Sequence, residues 1–284
     1  MRRIGIGRSV AVLLSFFMVS WIPPAVAQNE DVSLSTVLEK GVLRVCADKW
    51  ALPFSGDAPS APGIGLEIAD IMARRLNVRL EYVWLDTGAR GGAIPMLRDT
   101  LLGKRCDCFV GLPVKVATYL DGLEVTEPFL GTAFAMVIPQ GAEPIKVFDE
   151  VRGKKVGAAS NSPPWKVLYD MGLEISYAYR DNEEIIEAVE KGEIEIGFVW
   201  GPAAGWFLKQ NPEHKVQLVS AHDLLPRLRG EPVVYNIGVA LRKTDVTLKN
   251  ALSQAMKEII DSGKLEEIVT RYGVPYLPPF KLEE

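Results

Sequence analysis

Aromatic and acidic side chains follow the first predicted strand of this chain, where a binding site would form. Residues 43–54, LRVCADKWALPF, alternate apolar and polar residues and then release Asp48, Trp50 and Phe54 into a loop. Ligands gather at the carboxyl ends of strands in an open α/β sheet, so we interpret Trp50 and Phe54 as one wall of a cleft. A core strand that ends in a proline turn is the alternative. Asp48 is the one acid whose position suits an enzyme, although a solvated or capping aspartate is more common.

Other predicted strands end beside residues of similar kinds. Near-continuous apolar strands span 106–112 and 194–200, and a strand at 155–159 precedes a polar turn and a helix. Trp200 and Trp206, taken singly, are equally well explained as half-buried core residues. The predicted cleft contains Asp48, Trp50, Phe54, Arg90, Leu112, Pro113, Thr118, Ser160, Asn161, Ser162, Trp165, Trp200 and Gly201.

The elements that would position these residues repeat one plan. Residues 42–112 alternate strands and helices, and residues 155–200 do so again. Apolar residues recur at helical spacing within 63–76, and Asp181 with Glu184 forms a capping-box pattern. Short connections between alternating strands and helices predict a parallel sheet with helices on both faces. The predicted fold class is therefore α/β, with two similar lobes that face each other across a cleft.

Two extended segments, 131–138 and 233–241, flank the second unit and predict two crossings between the lobes, which indicates a hinge. Helices predicted around 248–260 and after Gly263 would pack back on the first lobe. The tail YLPPF either straps onto that lobe, which we favour, or offers a partner surface. The expected domains are lobe 1 at 33–131 plus 237–276, lobe 2 at 134–233 and a C-terminal tail at 277–284.

The N-terminus has the pattern of a secretory signal peptide. Arginines precede an apolar run at 10–19, and small residues end at Ala27. The run is short for a bilayer crossing, and no second such run follows. We expect residues 1–27 to be removed after Ala27, which places a mature protein without a membrane span in the periplasm.

Composition excludes several classes of partner. The formal net charge is −4, and removal of the basic leader makes the mature chain more acidic, which argues against nucleic acid or anionic lipid. His214 and His222 lie in polar sequence far from any cysteine, so no metal-ligand spacing is present. We predict no metal and no cofactor, and we expect a monomer.

The chain has three cysteines, an odd number for an oxidising compartment. At most one intramolecular disulfide can form. Cys106 and Cys108 lie two apart on one predicted strand and would point the same way, which disfavours a bond between them. Cys46 with Cys106 is the first choice for a disulfide.

Order and spacing over residues 33–272 resemble the type II periplasmic solute-binding proteins of the polar-amino-acid class. The segments that carry the resemblance are LRVCAD, GLEIADIMARRL, RCDCFVGLPV, EVTEPFLGTAFAMVI, VRGKKVGAAS, KGEIEIGFVWGPAAGWF, NIGVALRKTD and DSGKLEEIVTRYG. Within that class, CADKWALPFS, Arg90-Gly91, RCD and VWGPAAGWF resemble the MoxJ/XoxJ branch, which is encoded beside quinoprotein methanol dehydrogenases. The resemblance implies the two-lobed fold and no enzymatic activity.

An amino-acid binder of this class needs three anchors, and each position here departs from that pattern. The arginine that clamps the α-carboxylate falls on Thr118, with Lys115 nearby as a weaker substitute. The helix start after Ser160-Asn161-Ser162 contains two prolines, which lack N–H donors. The aspartate for the α-amino group falls on Gly201. Recognition of α-amino acids is therefore not expected.

We expect a periplasmic accessory protein for a PQQ-dependent methanol or alcohol dehydrogenase, acting in its maturation or activation through an aromatic cleft. The alternative is the substrate-binding component of an ABC importer for a small ligand that is not an amino acid. An enzyme is a third hypothesis, since some proteins of this fold are dehydratases or lytic transglycosylases. Asp48 is the one acid that would support it.

Overall fold

The structure is a computed structural model that describes residues 31–85, 93–221 and 234–281. The predicted signal peptide, Arg90 and His222 lie outside the described residues. Within that part of the chain, no helix is both long enough and apolar enough to cross a membrane.

The described residues form nine α-helices and twelve strands. The helices are α1 (Ser33–Lys40), α2 (Ile64–Arg75), α3 (Ala93–Leu97), α4 (Val114–Ala117), α5 (Pro163–Asp170), α6 (Asn182–Glu190), α7 (Gly201–Gln210), α8 (Val246–Asp261) and α9 (Lys264–Arg271). The strands are β1 (Val42–Asp48), β2 (Trp50–Ala51), β3 (Ser55–Gly56), β4 (Arg79–Leu85), β5 (Phe109–Pro113), β6 (Leu123–Val125), β7 (Leu130–Pro139), β8 (Val156–Ala159), β9 (Ile175–Tyr179), β10 (Ile196–Trp200), β11 (Val216–Ser220) and β12 (Val234–Arg242). A π-helical turn, Arg98–Leu102, continues α3, and a 3-10 turn spans Phe148–Val151.

Local sequence signals explain several helix ends. Gly41 ends α1 in the left-handed conformation at φ 64°, which a residue without Cβ adopts without strain. The Asp181 side chain accepts a 3.0 Å hydrogen bond from the Glu184 amide and begins α6, as its capping pattern predicts. Gly263 at φ 73° separates α8 from α9. The predicted start of α6 at Asp181 and the predicted break at Gly263 are confirmed.

The predicted parallel pairings are confirmed within each unit. Strand β1 runs parallel to β4, and β8 lies between β9 and β10 with parallel pairing to both. The two predicted extended segments are β7 and β12, which pair with each other antiparallel. They join the parts of the main sheet, whose strand order is β5-β12-β7-β10-β8-β9.

The strand registers place the ends of β5 and β10 opposite each other. Pro113 of β5 aligns with Ile237 of β12, which aligns with Leu130 of β7. Trp200 of β10 aligns with Phe134 of β7. Strand β5 runs parallel to β7, whereas β10 runs antiparallel to it. The carboxyl ends of β5 and β10 therefore face each other, separated along β7 by four residues, or about 13 Å. This gap, bounded by Pro113 and Trp200, lies over the paired stretch of β7 and β12.

The buried apolar residues form four clusters that follow the two sides of the gap. Two clusters, the first core group, draw their buried residues from 37–130 and 237–274. The other two, the second core group, draw them from 134–221. Two lobes with the proposed bounds would produce this division.

Two features differ from the sequence predictions. Residues 201–210, for which no element is predicted above, form α7, because the apolar run after Gly201 packs Ala204 into the second core group. Cys106 and Cys108 do not point the same way. Residues 105–107 bend before β5 begins, since Asp107 turns back to pair with Arg44 at 2.6 Å. Cys106 and Cys108 consequently enter different core clusters.

Candidate functional site

The hairpin of β2 and β3, here called the Trp50 rim, lies beside β5, because its Phe54 approaches Gly111. Asp48 shapes this hairpin. The Asp48 side chain accepts a hydrogen bond from the Trp50 amide at 2.9 Å, and its carbonyl oxygen accepts one from the Ser55 hydroxyl at 2.6 Å. Asp48 is 2% exposed, whereas the Trp50 side chain is 79% exposed. The aspartate therefore holds the turn, and the tryptophan is presented to solvent.

Phe54 lies deeper than Trp50. It is half-buried against the first core group, and its ring sits beside Gly111, where an added Cβ would lie 3.4 Å from it. Gly111 has φ +110°, a conformation that other residues rarely adopt. Phe54 thus supports the end of β5, and the predicted wall contains one exposed and one half-buried ring.

The β5 end of the gap offers little for a charged ligand. Leu112 is 2% exposed and packs in the core, so its side chain does not line open space. Pro113 precedes α4 as its N-cap residue. Thr118 is exposed at the other end of that short helix, and its hydroxyl donates to the Lys115 carbonyl at 2.7 Å. Thr118, the position on which the resemblance predicts the carboxylate clamp to fall, supplies a hydroxyl in place of a guanidinium.

In the turn between β8 and α5, the amide donors that would bind an anion are either missing or already hydrogen-bonded within the chain. Pro163 and Pro164 fill the first two helical positions and have no N–H. The Ser162 hydroxyl accepts a bond from the Trp165 amide at 3.3 Å, and the Ser162 carbonyl accepts one from the Lys166 amide at 3.1 Å. The helix start is therefore capped by its own chain. Before it, the exposed residue Ser160 donates its amide to Tyr179, and Asn161 has φ 60°.

The β10 end of the gap is aromatic. The Trp200 ring meets Phe134 of β7 at 5.2 Å and Tyr235 of β12 at 5.3 Å between centroids, both edge to face. Its amide donates to the Asn182 side chain at 3.0 Å. Trp200 is half-buried in this cluster, which ties the end of β10 to both crossing strands.

Gly201 begins α7 under a close approach of the backbone. A Cβ at this position would lie 2.6 Å from the carbonyl oxygen of Ala133, so a side chain does not fit without movement of β7. An aspartate for an α-amino group is therefore excluded sterically at this position. The close packing of Gly201 against β7 thus accounts for the absence of a side chain at this position.

Two other tryptophans are placed by helices. Trp165, on α5, stacks on Tyr169 with centroids 5.4 Å apart and planes 8° from parallel. Trp206, on α7, packs against Tyr272 and the first core group, away from the strand ends. Sequence reasoning missed Phe134 and Tyr235, because only the register of β7 and β12 brings them to Trp200.

The cysteines have a structural role. Cys46 and Cys106 form a disulfide with Cα atoms 5.5 Å apart, which confirms the predicted pairing. Cys108 is free and buried, and burial raises the pKa of its thiol. In the described part of the chain, no group of three or more histidine, cysteine, aspartate or glutamate residues is placed to hold a metal ion.

Comparison with solved structures supports the same fold. The periplasmic binding protein XoxJ from Methylobacterium extorquens AM1 is 25% identical, with 84% of this chain and 100% of that chain covered and a TM-score of 0.62. MxaJ from Methlophaga aminisulfidivorans MPT is 21% identical, with 83% and 100% covered and a TM-score of 0.64. The unliganded, open L-cystine solute receptor of Neisseria gonorrhoeae is 15% identical, with 87% and 99% covered and a TM-score of 0.71.

A search of curated proteins found no match. The family model for bacterial extracellular solute-binding proteins, family 3, matches residues 43–275, which is most of the chain. The predicted fold class, α/β of the type II periplasmic-binding-protein kind, is confirmed. The chain belongs to the bacterial extracellular solute-binding proteins, family 3.

Proposed function

We propose that this chain is a periplasmic accessory protein for a PQQ-dependent methanol or alcohol dehydrogenase, acting in maturation or activation of that enzyme through the gap between β5 and β10. The observation that carries the proposal is the start of α5. Its first amides are absent or already bonded to Ser162, so the helix start does not offer them to the α-carboxylate of an amino acid.

The other anchors support the same conclusion. Thr118 supplies no guanidinium, and the contact between Gly201 and Ala133 leaves no space for a carboxylate. An α-amino acid at these three positions would lack partners for its two charges, and burial of an unpaired charge costs several kcal/mol in general. A role other than amino-acid uptake follows.

The exposure of Trp50 favours a macromolecular partner. Trp50 is 79% exposed and no ring contact with it is found among residues 31–85, 93–221 and 234–281, and exposed tryptophans are typical anchors of protein interfaces. The resemblance of CADKWALPFS, RCD and VWGPAAGWF to the branch encoded beside quinoprotein dehydrogenases supports a dehydrogenase as the partner. The likeness to XoxJ over the full length of that protein agrees with that branch. The chain itself is proposed to have no catalytic activity, because the Asp48 carboxylate is buried and holds the Trp50 amide.

The second candidate is an importer component for a small ligand that is not an amino acid. The half-buried rings of Trp165 and Trp200 favour it, since aromatic walls hold flat apolar ligands. A ligand of this kind would bind with micromolar affinity and bring the rims together. The accessory role requires neither a small ligand nor movement of the rims toward each other.

Reactivation of the purified apo-dehydrogenase of the same organism tests the proposal. Enzyme and PQQ are mixed with and without the mature chain, and the initial rate of alcohol oxidation is followed. We expect a higher active fraction with the wild-type chain and with Val147→Ala, a control at an exposed apolar residue. We expect a smaller gain with Trp50→Ala. Equal rates with and without the wild-type chain would contradict the accessory role.

A further inference from the structure

The C-terminal segment 272–280, here called the strap, bonds to both crossing strands. The amide of Gly131 on β7 donates to the carbonyl oxygen of Leu277 at 2.9 Å. The side-chain amide of Asn236 on β12 donates to the Phe280 carbonyl at 2.8 Å and accepts from the Phe280 amide at 2.8 Å. The strap therefore holds β7 and β12 at once.

These bonds lie within the stretch where a hinge would bend. Gly131 and Asn236 pair with each other between the ends of β5 and β10. Gly131 also has no room for a side chain, because an added Cβ would lie 2.5 Å from the Pro278 carbonyl and 2.8 Å from the Phe280 ring. Rotation of one side of the gap against the other must move this stretch under the strap.

The start of the strap is anchored on the first core group. The Tyr272 hydroxyl accepts a bond from the Gly63 amide and donates to Glu67, each at 2.8 Å. Tyr272 itself is 3% exposed. The strap therefore begins at a fixed point on α2.

The same segment also contacts α7, which packs into the second core group. The Tyr272 ring meets Trp206 at 5.4 Å. Gly205 and Gly273 approach so closely that a Cβ on Gly273 would lie 2.5 Å from the Gly205 carbonyl. Ala204, next to Gly205, is fully buried in the second core group. The strap thus joins both core groups outside the two crossing strands.

A small cavity lies beneath the strap and gives it room to shift. It holds about 100 Å³ and is lined mainly by apolar residues, among them Ala133 and Ala135 of β7 and Val274 and Leu277 of the strap. The space under the strap is therefore not fully packed, and a fully packed interface would resist displacement more strongly.

We propose that the strap is a third connection across the gap, and that it limits how far the two sides move relative to each other. A hinge of two strands alone bends freely, but here bending must break or stretch the bonds at Gly131 and Asn236. Loss of the strap widens the range of conformations and leaves both core groups intact. The proposal is independent of the dehydrogenase role and of any ligand.

The test compares two truncations of the mature chain. One ends at Pro275 and removes the bonds to Gly131 and Asn236; the control ends at Phe280 and keeps them. Spin labels at Glu39→Cys on α1 and Glu183→Cys on α6 report the distance between the two sides, while Cys108 is buried and stays unlabelled. We expect the first truncation to broaden the distance distribution and to raise amide exchange at residue 131 roughly tenfold. We expect the control to match the full chain.

Asn236→Ala keeps the proposal testable if the shorter truncation does not fold. It removes both bonds to Phe280 and leaves the β7–β12 backbone pairing in place. We expect faster exchange in 234–237 and 130–133 and a broader distance distribution, with exchange in α8 unchanged. Distances and exchange equal to those of the full chain would overturn the proposal.

Discussion

Trp50 lies in the hairpin that follows β1 and Trp200 is the last residue of β10, yet the surroundings of the two tryptophans differ. Trp50 stands on a two-residue strand of a hairpin and is 79% exposed. Trp200 packs edge to face against Phe134 and Tyr235 and is half-buried. A tryptophan in the first setting contributes little to folding and is free to bind, whereas one in the second joins three strands. The position of a tryptophan near a strand end therefore does not determine whether it binds a partner or stabilises the fold. The residues that surround its ring determine this.

The largest expected effect comes from the disulfide beneath the Trp50 rim. Cys46 lies on β1 just before Asp48 and is joined to Cys106, 60 residues along the chain. Removing both sulfurs with Cys46→Ser and Cys106→Ser should lower the free energy of unfolding by about 4 kcal/mol, since the unfolded chain regains the entropy of an open loop. Urea unfolding measures this.

Thiol titration checks the pairing itself. The unfolded, unreduced mature chain should show one reactive thiol, Cys108, and reduction should release the other two. Three reactive thiols before reduction would contradict the disulfide.

Trp200→Ala should lower the free energy of unfolding by about 3 kcal/mol, because it leaves the Phe134 and Tyr235 rings without their central partner. Trp50→Ala is the matched variant on the opposite rim, and we expect it to change stability by no more than about 0.5 kcal/mol. Parallel urea titrations of both variants measure the difference. Equal losses would break the comparison between the two tryptophans.

The smallest expected signal concerns α-amino acids, for which Thr118, the start of α5 and Gly201 supply no anchor. Calorimetric titration of the mature chain with the common amino acids should give no binding tighter than about 1 mM. A micromolar isotherm would mean that the carboxylate finds donors elsewhere than at Thr118 or the start of α5. The importer hypothesis would then gain over the accessory one.

Much of the fold could be predicted because the relevant signals are local. Apolar periodicity located α2 and α8, Asp181 fixed the start of α6, and extended patterns identified both crossing strands. The loss of the helix anchor could also be predicted, since two prolines remove donors in any tertiary setting.

The rest depends on pairing between distant segments. Only the registers of β7 with β10 and β12 bring Phe134 and Tyr235 to Trp200. The bend at residues 105–107 follows from the ion pair of Asp107 with Arg44, a contact that no local pattern contains. Sequence reasoning therefore found which aromatic residues lie near strand ends, but not which of them are held in place.

Binding of the quinoprotein dehydrogenase to immobilised mature chain tests the central claim most directly. Biolayer interferometry compares the wild type, Trp50→Ala and the exposed control Val147→Ala, and a thermal melt accompanies each variant. We predict that Trp50→Ala weakens binding by about 1 to 3 kcal/mol at an unchanged melting temperature, while Val147→Ala binds like the wild type. No detectable binding of the wild type, or equal affinity for Trp50→Ala, would contradict the account.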